Sequence, residues 1–381
     1  MQQHYAKQEG ESITWDAESV AWLEGLAAAS GFDAAGVAAL ADDAAEQQQA
    51  ERYTAWVEAG RAGEMEYLKR RDEQGVLIRS AVRRAFPWAR SVVVCARNYN
   101  AGGPHSIQPA PHGTGWIARY AWSGRQQSDG SLGPTDYHEE LLGAMASVQS
   151  ALQQRFGAAM RCYVDTGPLV ERAMAVKAGL GWTGKNTCLL HPKLGSWLLL
   201  AVLVTDIPMP VEVAPLPDRC GSCTRCLDAC PTGALVAPRE MDASRCIAYL
   251  TIEKKGSIAE ELRAGMGRQV FGCDICQEVC PWNRKAPVVQ RQGSYARPEL
   301  VNPALEWLAG MDAPAFRRWF RGSPLERTRR SRLLRNVAIA MGNSGLPQYT
   351  AQLQAWAAGQ DPVLAEAAAW ALARLPATAT P

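Results

Sequence analysis

Cys220-Gly-Ser-Cys223-Thr-Arg-Cys226-Leu-Asp-Ala-Cys230-Pro231 opens the most informative stretch of this chain, and Gly272-Cys273-Asp-Ile-Cys276-Gln-Glu-Val-Cys280-Pro281 closes it. The first run has the Cys-x2-Cys-x2-Cys-x3-Cys-Pro spacing in which three close thiolates hold one 4Fe-4S cluster and the fourth crosses to a second. In the second run Val270 stands where a further cysteine is expected, and the lone Cys246 is available to fill that place. The crossover rule assigns Cys220, Cys223, Cys226 and Cys280 to one cluster, and Cys230, Cys246, Cys273 and Cys276 to the other. Four thiolates also suit tetrahedral zinc, but zinc ribbons have no need of two Cys-x3-Cys-Pro endings.

Two adjacent clusters make an electron wire, and a wire requires an acceptor. The chain has 381 residues, too many for a bare ferredoxin and enough for two or three domains. Its net charge of +2 is near neutral, so any affinity for a polyanion must come from a local patch. The N-terminus, Met1-Gln-Gln-His4, shows neither a secretory signal nor a twin-arginine pair, and the longest apolar run, Trp197 to Val204, is far too short to span a bilayer. A cytoplasmic location with no membrane association is the expectation. Thiols stay reduced there, which favours metal ligation over disulfides for the eleven cysteines. Cys95, Cys162 and Cys188 stand singly in apolar contexts and read as small buried hydrophobes.

Upstream of the cysteines, helices and strands alternate, which implies an α/β layer fold. Asp16 can cap a helix with Val20, Leu23, Leu26 and Ala27 at helical spacing and Gly31 as its stop. Ser91 to Arg97, Cys162 to Val164 and Trp197 to Thr205 read as strands, and Tyr137 to Phe156 as a helix. Pro208 to Pro217 reads as a linker. From Leu300 onward strands disappear. Val337–Met341 aligns with Ala368–Leu372 at a separation of 31 residues, which suggests a short helical repeat, and the tail from Pro376 to Pro381 is expected to fray.

Several local motifs can carry chemistry. Asp165, in Val164-Asp-Thr-Gly-Pro-Leu-Val-Glu-Arg172, follows a strand and either donates a proton or caps the next helix. Asp136 and His138, in Asp136-Tyr-His138, form either a polar pair facing a substrate or an N-cap. Lys185, in Gly181-Trp-Thr-Gly-Lys-Asn186, is either an anion contact or solvated, since the loop matches no phosphate-loop pattern.

Together with Arg119-Tyr-Ala-Trp122, Gly272-Cys-Asp-Ile-Cys276 and the preceding cysteine run, these motifs resemble the epoxyqueuosine reductases, over about residues 31 to 282. The resemblance implies a cobalamin-binding catalytic α/β domain at 1–207, a ferredoxin-like domain with two 4Fe-4S clusters at 208–290, and a C-terminal α-helical HEAT-like repeat domain at 291–381 that contacts tRNA. It implies that the epoxide of epoxyqueuosine at the tRNA wobble position is reduced, with its oxygen lost as water. Asp165 then corresponds to the general acid, with Asp136 beside the same pocket, and Arg79 and Asp274 to positions touching the corrin. A carboxyl buried against a corrin should have a raised pKa and stay protonated. One departure stands out: about ten polar residues, 126 to 135, separate Arg125 from Asp136 where the family pattern runs on, and they are expected to loop outward.

Residues 317 to 335 carry eight arginines, among them Arg317, Arg318, Arg321, Arg329 and Arg330, against the single acid Glu326, a density suited to phosphate contacts on an anticodon stem-loop. An external donor such as a flavodoxin or ferredoxin would feed the clusters, and the chain is expected to be a monomer. Two other readings share the cysteines. A plain two-cluster electron-transfer protein would leave the first 200 or so residues unexplained, and a reductive dehalogenase would have no need of an arginine-rich helical tail.

Overall fold

The computed structural model describes residues 14–41, 43–210, 213–289 and 295–376; the first residues, read above for export signals, and the tail from 377 lie outside them. Four strands make the main sheet: β1 (Ala34–Ala39), β2 (Ser91–Asn98), β3 (Met160–Tyr163) and β4 (Leu198–Thr205). Their order is β1-β2-β4-β3, and every neighbouring pair is antiparallel. Helices and strands alternate in layers as expected, with every pairing in this sheet antiparallel.

Residue alternation along β2 explains why it reads as a continuous apolar run. Val93 and Cys95 point to one core with Ala201 and Leu203, while Val92, Val94 and Ala96 point to another with Val202 and Val204. Helices cover both faces. On the first lie α1 (Ala17–Ala29), capped by Asp16 with Ser19 in a reciprocal box, and α2 (Tyr137–Phe156), which buries Leu141, Met145, Val148 and Leu152. On the second, α3 (Glu171–Lys177) presents Met174 and Ala175.

The segment 126–135 reaches outward as expected, with residues 125–131 exposed, but as an ordered hairpin and not an irregular loop. Ser123–Gln126 pairs with Leu132–Pro134, and Tyr295–Ala296 adds a third antiparallel strand. The turn is closed by Gln127 N–H donating to Ser131 O at 2.8 Å, with Gly130 at φ 81°. Asp129-Gly130 between short strands is a hairpin signal, and it was present in the sequence.

A third core is the largest. It joins Ile117 and Trp122, the stretch Ile247 to Phe271 between the two cysteine runs, and the C-terminal helices. Within it, Gln269–Phe271 pairs in parallel with Trp116–Ile117. Gly272, at φ 67°, lies where an added Cβ would stand 2.5 Å from the Ala118 Cβ, so only glycine lets the second cysteine loop approach so closely. C-terminal helices α4 (Arg329–Ser344), α5 (Thr350–Ala357) and α6 (Pro362–Leu372) pack on one another, and the two segments aligned in sequence meet face to face across α4 and α6.

That contact is close because Gly342 has no side chain. A Cβ there would stand 2.7 Å from the Ala371 Cα. Gly342→Val should force α4 and α6 apart and lower stability by about 1–3 kcal/mol, read as a fall in Tm; an unchanged Tm would show that the helices separate freely.

Candidate active site and cluster centre

Each cysteine run wraps into a short turn followed by one turn of helix, Arg225–Asp228 and Ile275–Glu278, which brings thiols three apart to one side. Across the segment the thiols fall into two neighbouring groups, with Cys188 close to members of both. Cys226 interacts with Cys220 and Cys223, and Cys280 with Cys220 and Cys226. Cys246 interacts with Cys230, Cys273 with both of those, and Cys276 with Cys273 and Cys246. The first group lines a cavity of about 150 Å³ with Pro281, Trp282 and Leu190. Among the described residues no three metal-ligating side chains converge on one ion position, whereas a cubane spreads its four thiolates around a larger body. Four thiols around a cavity with Leu190, Pro281 and Trp282 in its wall and Lys185, Arg219 and Arg225 at its rim fit a 4Fe-4S cluster.

Cys188 departs from its reading as a buried hydrophobe: it is half-buried, and its thiol donates to the Asn186 carbonyl at 3.8 Å. Lys185 is committed within the chain, its ammonium donating to the carbonyls of Gly221 at 2.7 Å and Cys223 at 3.0 Å, so it braces the first cysteine loop. Asp274 is buried, and its Oδ2 accepts the backbone N–H of Arg119 at 2.7 Å. Burial, then the nearby charge of Glu278, push its carboxyl up to about 7 against the opposing pull of Arg119.

An aromatic path leads away from that loop. Phe271 lies 5.9 Å from Tyr120 between ring centroids, and Tyr120 lies 5.7 Å from Tyr137. Tyr137 Oη donates to Asp165 Oδ2 at 3.0 Å. Asp165 therefore does not cap the next helix, whose N-cap is Val170. It sits at φ 59° in a sparsely populated region, with its side chain 67% exposed, so the chain itself does not bury it.

Asp136 does both of the things open to it. It caps α2 by accepting His138 N–H, and its Oδ1 lies 2.9 Å from His138 Nδ1. The far nitrogen, His138 Nε2, lies 3.8 Å from Asp165 Oδ2. Arg327 completes the group, donating to Asp136 Oδ2 at 2.6 Å with its guanidinium over the Tyr137 ring. Burial opposes ionisation of Asp136, but hydrogen bonds from His138 and Arg327 outweigh it and hold the carboxyl well below the usual range. Asp136 is thus a carboxylate at neutral pH, not an acid. Pro134, Thr135 and Asp136 also line a polar cavity of about 350 Å³ with Arg125, Glu139, Glu140 and Gly322, so the hairpin borders the site.

The arginine run divides in two. Arg317, Arg318, Arg321, Arg329 and Arg330 are exposed, although Arg330 Nε donates to Met311 O. Arg332 and Arg335 are not available to a phosphate: they bind the carbonyls of Ile252 and Glu253, and of Leu250, Lys254 and Gly256, at the end of the helix Ile247–Ile252. Arg79, from the turn Ile78–Ser80, stacks on Tyr67 and has a buried Nε with no partner. Sequence reading missed Arg327, Tyr120 and Tyr137 as site residues. Only the motifs containing the two tyrosines hinted at them.

A family model described as a 4Fe-4S double cluster binding domain matches residues 219–283, and one for epoxyqueuosine reductase QueG matches 79–166. The chain is 34% identical to the epoxyqueuosine reductase of Xanthomonas campestris over 94% of its length and 96% of that protein. It is 38% identical to that of Pseudomonas aeruginosa over 84% and 85%. A crystal structure of epoxyqueuosine reductase with an epoxyqueuosine-modified tRNA-Tyr stem loop superposes with a TM-score of 0.80 at 29% identity, covering 94% of this chain and 90% of that one. The Bacillus subtilis enzyme, solved with a catalytic aspartate loop swung out of the active site, gives 0.78 at 28% identity over the same shares. With two four-thiol groups, an aspartate cluster at the end of an aromatic path and relatives spanning almost its whole length, this chain belongs to the epoxyqueuosine reductase family.

Proposed function

We propose that this chain reduces epoxyqueuosine to queuosine at the wobble position of tRNA, using cobalamin and two 4Fe-4S clusters. The observation that carries this reading is the aromatic path Phe271–Tyr120–Tyr137, which joins the second cysteine loop to Asp165. Cys220, Cys223, Cys226 and Cys280 would hold one cluster, and Cys230, Cys246, Cys273 and Cys276 the other. Arg79, with its unpartnered Nε, fits an amide oxygen of a corrin, and Asp274 would be the second corrin contact. When bound, clusters and corrin would supply the two low-potential electrons that the reduction requires.

The protein's own residues manage the oxygen. Asp165 gives a proton to the epoxide oxygen as its bond to carbon breaks, and Tyr137 holds the carboxyl in place meanwhile. Asp136, kept ionised by Arg327 and His138, orients the imidazole whose Nε2 faces Asp165. The exposed Arg317, Arg318, Arg321, Arg329 and Arg330 face the phosphates of the anticodon stem-loop on a HEAT-like helical unit. Lys185, at the rim formed with Arg219 and Arg225, makes the first cluster's surroundings basic, which suits an acidic donor such as a flavodoxin or ferredoxin. No helix among the described residues is long and apolar enough to cross a membrane. Action as a cytoplasmic monomer, where tRNA is, completes the reading.

The direct test is anaerobic reconstitution with iron, sulfide and cobalamin, then assay of epoxyqueuosine-containing tRNA. Turnover is expected with about eight irons per chain, and protein returning zinc or no queuosine would end the proposal. Asp165→Asn should keep clusters and cobalamin while the rate falls about 10²-fold or more. Replacing Arg317, Arg318 and Arg321 together by Ser should weaken tRNA binding about tenfold and flatten its salt dependence, as expected when phosphate contacts are lost; an unchanged salt slope would move the RNA to another face.

A further inference from the structure

Removing an epoxide oxygen as water takes two electrons and two protons: both carbon–oxygen bonds break, a carbon–carbon double bond forms, and the oxygen leaves carrying both protons. Asp165 holds one proton at a time. When tRNA covers the site, the second must come from a group already inside it.

Glu171 is such a group, and nothing in the chemistry above uses it. It stands at the first position of α3, six residues beyond Asp165 in the same motif. Its Oε1 is buried with no hydrogen-bond partner. A carboxylate oxygen buried without a partner is costly, and protonation lowers that cost. The charges that act on it are those of Asp165 on the preceding loop, Arg79 from the turn Ile78–Ser80, and Arg172 on its own helix. Burial first, and then the charge of Asp165, push its carboxyl up to about 7, against the opposing pull of its own backbone amide and of the two arginines.

We propose that Glu171 is the proton reserve for Asp165, holding the second proton that epoxide removal consumes and passing it on once the first has gone to the departing oxygen. The order of events balances. Asp165 protonates the oxygen as the first carbon–oxygen bond breaks; Glu171 reloads the Asp165 carboxylate; Asp165 then protonates the resulting hydroxyl, which leaves as water. Both electrons come from the reductant already required. Glu171 is left as a carboxylate under the pull of Arg79 and Arg172, and solvent restores its proton when the product departs. The two carboxyls repel when both are ionised, so the charge of spent Asp165 itself raises the affinity of the pair for a proton.

This rests on Asp165 being the proton donor, and the test separates the two claims. In the fully loaded enzyme, Glu171→Gln should lower kcat about tenfold or more with KM for tRNA within about twofold. The wild-type kcat should fall as pH rises through about 7, where Glu171 loses its proton, and that limb should vanish in the variant. Glu171→Asp should restore it in part. In the cofactor-free chain, infrared titration should show a protonated carboxyl persisting to about pH 7 that is missing from Glu171→Gln. Wild-type kcat and pH profile in Glu171→Gln would overturn the proposal, as would loss of folding or iron in both variants, which marks a structural residue. Full activity in Asp165→Asn would instead remove the donor itself.

Discussion

The parallel pairing of Gln269–Phe271 with Trp116–Ile117 is the constraint on which the rest of the molecule depends. It fastens the chain just before Cys273 to the chain just before Arg119-Tyr120, two segments far apart in sequence. Gly272 permits the close approach, and the Arg119 N–H bond to Asp274 locks it. Phe271 and Tyr120 are brought together by the same pairing. Without it, the cysteines would still form their turns, but they would have no fixed distance to the Asp165 site.

The site is held by opposing forces more than by burial. Asp165 is exposed, strained in its backbone and tied down by Tyr137, while Asp136 is satisfied from three directions and remains ionised. Two carboxyls a short distance apart thus occupy different electrostatic settings, as acid and base pairs require. Arg327 makes that difference, and it arrives from the helical C-terminal part of the chain.

Most of the cysteine grouping was legible in the sequence because it is local: thiols spaced two and three residues apart come to one side only through a turn, and Cys246 lies near Cys230 and Cys273, where counting left a gap. Strand and helix positions in the first half were legible for a similar reason, since β2 and α2 carry unbroken periodic patterns. Pairing direction was not, because antiparallel and parallel strands buried on both faces share one apolar pattern. Nor was the division of the arginines. Arg327 meets Asp136 across 191 residues, and Arg335 meets Leu250 across 85, distances at which a basic run gives no sign of which guanidinium is committed inward.

Arg332, Arg335 and Asn336 saturate the carbonyls that end the helix after Cys246 and one of the strand before Cys273. The terminal helices thereby act as the scaffold's missing hydrogen-bond donors, and the iron-binding segment is not a removable module. A shortened chain ending before α4 would leave those oxygens and the apolar faces of Leu250 and Phe271 open to water, so the cysteine-rich segment and the C-terminal helices should be expressed and degraded as a single unit.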